Sequence, residues 1–162
     1  MRSFLFVAAG VGCLWCASAA AEKFTAKTEC GKSDPEHILP AGDRPDHNLG
    51  VEAAKCSWSK PLEIAGDKTK DSVITQVDDI SGNKIHFHGV NELTMQSGDK
   101  VALPYQGSGA SKDNHESRSK GTFTFADGTG KLKGIKGQGT FSCKSAGEGV
   151  SCDVEGEYEL AK

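Results

Sequence analysis

Cys152-Asp153-Val154-Glu155-Gly156-Glu157-Tyr158-Glu159-Leu160 alternates without interruption. Cys152, Val154, Gly156, Tyr158 and Leu160 fall on one parity, and Asp153, Glu155, Glu157 and Glu159 on the other. Successive side chains of a strand point to opposite faces, so this is a strand with one dry face and one wet face, the pattern of an antiparallel sheet covered on one side. Upstream, Gly137, Gly139, Phe141 and Cys143 also share a parity, and the stretch from Lys144 to Ser151 holds Gly147 and Gly149, residues suited to a hairpin loop. Two adjacent antiparallel strands with a cysteine on the inward parity of each predict a bridge between Cys143 and Cys152.

Further outward, the same period predicts strands near Phe24 to Glu29, Val51 to Trp58, Ser72 to Asp79, Lys84 to Met95, Val101 to Gln106, Gly121 to Ala126 and Leu132 to Phe141. Turn residues separate them at Gly66-Asp67, Ser81-Gly82-Asn83, Ser97-Gly98-Asp99, Gly107 to Lys112, and Asp127-Gly128. With the final strand the count is about eight, and no sustained helical period competes with it outside the N-terminus. The fold class is therefore all-β and antiparallel, an eight-stranded barrel or, as the alternative, a β-sandwich, since both arrangements manage exposed edges. Gly130, Gly134, Gly137 and Gly139 favour the barrel, whose strands must bend.

At the N-terminus, Arg2 precedes an apolar run from Phe4 to Trp15, and small residues follow at Ala17, Ser18, Ala19, Ala20 and Ala21 before Glu22. This is the pattern of a cleaved signal peptide spanning 1–21, with a single domain over 22–162; the run is too short for a membrane span of about 20 apolar residues. Secretion or a periplasmic location follows, with no stable membrane span after cleavage. Cys30, Cys56, Cys143 and Cys152 remain beyond the cut, an even number that an oxidising compartment turns into two disulfides. Once Cys143 and Cys152 are paired, Cys30 is left with Cys56, closing off the long N-terminal loop from Gly31 to Gly50 with its three prolines. Without Arg2, 18 basic residues stand against 22 acidic ones, a net of −4, which recruits neither nucleic acid nor an anionic membrane.

The stretch Asp127-Gly128-Thr129-Gly130-Lys131-Leu132-Lys133-Gly134-Ile135-Lys136-Gly137-Gln138-Gly139-Thr140-Phe141 resembles the turn-and-strand signature of barrels related to allene oxide cyclase and dirigent proteins. With the ending Val154-Glu155-Gly156-Glu157-Tyr158-Glu159-Leu160 it is similar to uncharacterised exported bacterial barrel proteins. The resemblance implies a barrel able to enclose an apolar molecule, and it carries no polar working residue onto this chain, so cyclase-like chemistry enters only as an analogy.

Among candidate sites, His86, His88 and Glu92 share one strand parity and could grip a divalent metal. Their His-x-His-x-x-x-Glu spacing resembles the first motif of cupins, although the flanking glycines are misplaced and no second motif follows. The competing interpretation puts both histidines on the wet face while Ile85 and Phe87 face the core. His115 could supply a third histidine. His37 and His47 lie with Asp34, Glu36, Asp43 and Asp46 in a solvated loop that matches no metal-binding pattern. Asp78 and Asp79 are adjacent, hence on opposite faces and unable to act together on one substrate; they fit a strand end. No nucleophile motif and no phosphate-binding loop is present. Trp58, Phe123, Phe125, Phe141 and Tyr158 supply core bulk and, secondarily, candidate lining for a ligand cavity. These readings point to an exported non-enzymatic barrel for a small apolar ligand or a partner. The alternatives are a metal-dependent or cyclase-like barrel enzyme and a structural envelope protein with a filled barrel.

Overall fold

The computed structural model describes residues 21–112, 116–146 and 148–161, most of them in antiparallel strands. In chain order these are β1 (Glu22–Cys30), β2 (Glu36–Pro40), β3 (His47–Lys60), β4 (Glu63–Ile64), β5 (Asp67–Ser81), β6 (Lys84–Met95), β7 (Lys100–Lys112), β8 (Glu116–Thr124), β9 (Lys136–Ala146) and β10 (Gly149–Glu159), with one 3-10 turn at Gly130–Leu132. The expected signal segment 1–20 lies outside the described residues. Among the described residues no helix is long and apolar enough to cross a membrane.

Strands β5 to β10 pair in sequence, β10 pairs with β1, and β1 pairs with the last residues of β3. The earlier part of β3 returns to β5, from His47 opposite Ser81 to Cys56 opposite Ser72. The sheet thus closes as an eight-stranded antiparallel barrel, and the sandwich alternative falls. Closure is possible because β3 is long enough to reach two partners, one on each edge. β2 lies beyond the end of β1 on the same edge of β3. The loop expected between Gly31 and Gly50 is therefore partly strand.

Both disulfides form as the parities require. Cys143 faces Cys152 across β9 and β10, with Cα atoms 4.1 Å apart, and Cys30 faces Cys56 across β1 and β3 at 3.9 Å. The second bridge holds the chain where it leaves β1, and the amides of Gly31 and Asp34 continue the hold by donating to Lys55 and Ala53 carbonyls at 3.0 and 2.7 Å. Two disulfides point to a non-cytoplasmic environment.

Inside the barrel, rings and glycines are paired across strands. Phe87 faces Gly107, Tyr105 faces Gly89, Phe141 faces Gly121, Phe123 faces Gly139 and Phe24 faces Gly156. In each pair the ring lies where a Cβ on the glycine would project; at Gly107 that atom would fall 2.8 Å from Phe87 Cε2. This explains why β7 runs on to Lys112 where a turn was expected: Gly107 and Gly109 leave room on the inner face of a continuous strand. Gly130 and Gly134, expected to bend a strand, instead sit at positive φ around the 3-10 turn. β9 therefore starts at Lys136, and Leu132 and Ile135 turn inward.

Those two residues belong to a plug. Leu62, Ile64, Leu93, Met95, Val101, Leu132 and Ile135 are at most 4% exposed, and Phe125 and Tyr158 pack with them. The plug fills one end of the barrel. Tyr158 fastens it: its hydroxyl donates to Glu22 Oε2 at 2.6 Å and accepts the Ala65 amide at 3.2 Å. Burial, followed by the Glu22 hydrogen bond, raises the phenol's pKa and keeps it neutral. Replacing Tyr158 by Phe is expected to lower stability by about 1–2 kcal/mol, the worth of two partly buried hydrogen bonds, in a urea titration.

Candidate functional cavity

The other end of the barrel is open. A cavity of about 380 Å³ occupies it, reaching from the rim at Asn83, Lys84 and Arg118 down to Leu103 and Phe123. Its walls differ in character. Trp58, Phe123, Phe141, Ile74, Leu103 and Val154 make an apolar side, while Ser33, Glu52, Gln76, Asn91 and Tyr105 make a polar one.

The polar wall follows from strand parity. On β3, Glu52 shares the inward parity of Ala54 and Cys56; on β5, Gln76 and Asp78 share that of Ser72 and Ile74. β3 and β5 are neighbours, and Gln76 lies opposite Glu52 in their register. Gln76 Nε2 donates to Glu52 Oε1 at 2.9 Å and to Asp78 Oδ1 at 2.7 Å. The Tyr105 hydroxyl donates to Gln76 Oε1 at 3.0 Å, and Ser33, delivered by the segment that the Cys30–Cys56 bridge pins, donates to Glu52 Oε2 at 2.6 Å. Asn91 Oδ1 is buried and has no hydrogen-bond partner among the described residues.

Two carboxyl groups and two amides thus sit inside a barrel, and the carboxyl groups are held by neutral donors. Among the described residues neither Glu52 nor Asp78 has an ion-pair partner. Burial, and next the repulsion of Glu52, push the Asp78 carboxyl up to about 6, against the pull of the Gln76 hydrogen bond. Burial, with Glu52 and Asp78 adding to it, raises the Tyr105 phenol far above the physiological range, so it remains a neutral donor. Asp78 lies one step nearer the rim, against Gly50, and Gln76 separates it from the cavity lining.

Of the residues expected from sequence to line a cavity, Trp58, Phe123 and Phe141 do so, whereas Phe125 and Tyr158 belong to the plug. His86, His88 and Glu92 stand exposed on the outer wall, opposite Asp79, Val77 and Val73 of β5. Glu92 is tied to Lys100 Nζ at 2.5 Å. Among the described residues no three His, Cys, Asp or Glu side chains converge as a metal-binding group; His115 lies outside those residues. His37 is exposed on β2, but His47 is half-buried, its Nδ1 against Asp43 and its Nε2 3.1 Å from Asp79 Oδ1. That His47 hydrogen bond holds the exposed Asp43 carboxyl below its ordinary range. Asp78 and Asp79 do take opposite faces, yet they lie within β5, and the inward one was missed because a lone acid in an alternating stretch reads as wet face. Counting inward parity back from Cys56 and forward from Ile74 would have found Glu52, Gln76 and Asp78.

No family model matches this chain, and no curated protein matches it. Solved structures do. A conserved protein of unknown function from Rhodopseudomonas palustris aligns with a TM-score of 0.56 at 10% identity, covering 86% of this chain and 99% of that one. A β-barrel-like protein from Acinetobacter baumannii AYE aligns at 0.57 and 13%, covering 86% and 96%. A pterocarpan synthase dirigent protein aligns at 0.52 and 9%, covering 99% and 100%. At such identities the likeness is one of fold, and this chain shares the closed β-barrel of dirigent proteins and of uncharacterised bacterial barrels.

Proposed function

We propose that this chain is an exported, non-enzymatic binding protein whose barrel holds one small, mostly apolar molecule. The observation that carries this reading is the single-ended cavity: a volume within the range of about 300–1,000 Å³ usual for small-molecule sites, mostly apolar walls and a few convergent polar groups. A wholly filled structural barrel would lack it. The two disulfides and the N-terminal run support export.

A second reading, a cyclase-like barrel enzyme, draws on the elevated Asp78 carboxyl as a proton donor and on the dirigent neighbour. It fits less well, because Asp78 stands behind Gln76 and a proton donor must reach its substrate.

Trp58 lines the cavity and its indole N–H is engaged with Ser72 Oγ at 3.2 Å, which makes it a built-in reporter. Titration with the neutral fluorophore N-phenyl-1-naphthylamine is expected to show saturable binding with energy transfer from Trp58. Replacing Ala54, a buried lining residue, by Phe should abolish that binding while the protein still melts cooperatively. Absence of saturable binding, or an Ala54→Phe protein that binds as before, rejects the cavity as the site.

A further inference from the structure

The lining of the cavity also selects the chemistry of its occupant, given that a small molecule binds there. The donors clustered around Glu52 and Gln76 are already spent. Both Gln76 Nε2 hydrogens go to Glu52 and Asp78, the Tyr105 and Ser33 hydroxyl hydrogens go to Gln76 and Glu52, the Thr28 hydroxyl donates to the Ser57 carbonyl, and Trp58 donates to Ser72. What remains around them is acceptor capacity. Each carboxylate oxygen of Glu52 keeps a free lone pair, the Tyr105 oxygen keeps its own, and Asn91 Oδ1 has no partner among the described residues. A buried acceptor left unpaired costs about 1–3 kcal/mol, so a ligand that supplies the missing hydrogen gains what the empty site lacks.

Charge narrows the choice. Glu52 lies opposite Glu36 of β2 and is linked to Asp78 through Gln76, and among the described residues no Lys or Arg pairs with either acid. The rim cations Lys84 and Arg118 are exposed to water. The opposite wall, from β8 and β9, is aromatic with Phe123 and Phe141, and Trp58 adds a ring from β3 itself. A group that donates several hydrogen bonds, carries positive charge and tolerates ring faces is an ammonium on an apolar body. We infer that the ligand is a hydrophobic primary or secondary amine, bound as its cation with its N–H groups on Glu52 and Asn91 Oδ1 and its apolar part against the aromatic wall.

Three probes of one shape test this: 3-phenylpropylamine, 3-phenylpropanol and 3-phenylpropionate, titrated calorimetrically into the disulfide-bonded protein at pH 7.5. The amine is expected to bind at least about tenfold more tightly than the alcohol, as a charge-assisted hydrogen bond in a dry site should provide. The carboxylate should bind weakest. Glu52→Gln should erase the amine's advantage and leave the alcohol within about twofold. If that variant does not fold, Asn91→Leu serves, with the amine expected to lose more affinity than the alcohol. Alcohol or carboxylate binding as tightly as the amine overturns the inferred ligand class and leaves the cavity as a binding site. Binding by none of the three, together with no binding of the neutral fluorophore, overturns both.

Discussion

At pH 7.5 the Asp78→Asn protein is expected to melt roughly 6 °C above the unaltered chain, a gain of about 2 kcal/mol, and at pH 4 the two should melt together. Asp78 is 5% exposed. Around it lie Glu52 on β3, Glu36 on β2, Gln76 on its own strand and Tyr105 on β7, with His88 outside the wall on β6; burial first and then the acids raise its pKa, while Gln76 and His88 lower it. A carboxyl raised from 3.8 to about 6 holds its proton more tightly in the folded chain than in the unfolded one. The stabilisation from that proton is complete below about 4 and is lost as pH rises through about 6, so above 6 the ionised group is a net cost. Asparagine has the same shape, accepts the Gln76 hydrogen bond through its own oxygen and never ionises. Melting curves at pH 4 and 7.5 measure the difference. An unchanged melting point at 7.5, or a gap that persists at pH 4, would show that burial of charge at Asp78 is not what this interior pays for.

Gly107→Val is expected to destabilise the barrel by about 3 kcal/mol or more, although valine is a strong strand former. A Cβ at Gly107 would stand 2.6 Å from both Phe87 Cζ and the Lys120 carbonyl oxygen. Phe87 packs with Tyr105 and Phe141 at centroid distances of 6.2 Å, so its ring moves only by disturbing both, and the Lys120 carbonyl belongs to the backbone of β8. Relief therefore requires β7 to separate from β6 or β8. Ser108→Val, on the outward side of the same strand, should change stability by no more than about 0.5 kcal/mol and isolates propensity from crowding. Equal urea midpoints for the two variants would contradict the ring-on-glycine account.

Much of this barrel was legible because alternation is a local property. Cys152 to Leu160 announces its own two faces, and Lys84–Met95 was bounded correctly by turn residues at each end. The Cys143–Cys152 pairing followed from parity, and Cys30–Cys56 from elimination. What escaped depends on neighbours distant in sequence. β2 exists only because β3 offers it an edge, and β7 continues past Gly107 only because a ring from β6 occupies the missing side chain's place. The polar wall escaped for a related reason. Glu52, Gln76 and Asp78 look like the wet side of their strands until the register places Gln76 opposite Glu52 and the barrel closes over all three. The aromatic lining was only partly recoverable, since Phe123 and Phe125 share one parity of one strand's end yet one reaches the cavity and the other the plug.

The plug formed by Leu62, Ile64, Leu93, Met95, Leu132 and their neighbours makes the barrel a vessel with a single mouth. Whatever enters must pass the solvent it displaces through the same opening, so exchange is sequential and the deepest part of a guest is the part that goes in first. Glu52 and Asn91 lie below the Asn83–Lys84 turn, so a guest that bonds to them has its polar end inside, and any part of it left at the mouth stands between Lys84 and Arg118 in water. That exit is where a tether for affinity capture of the protein, or a reporter dye, can be attached without disturbing the contacts at the bottom.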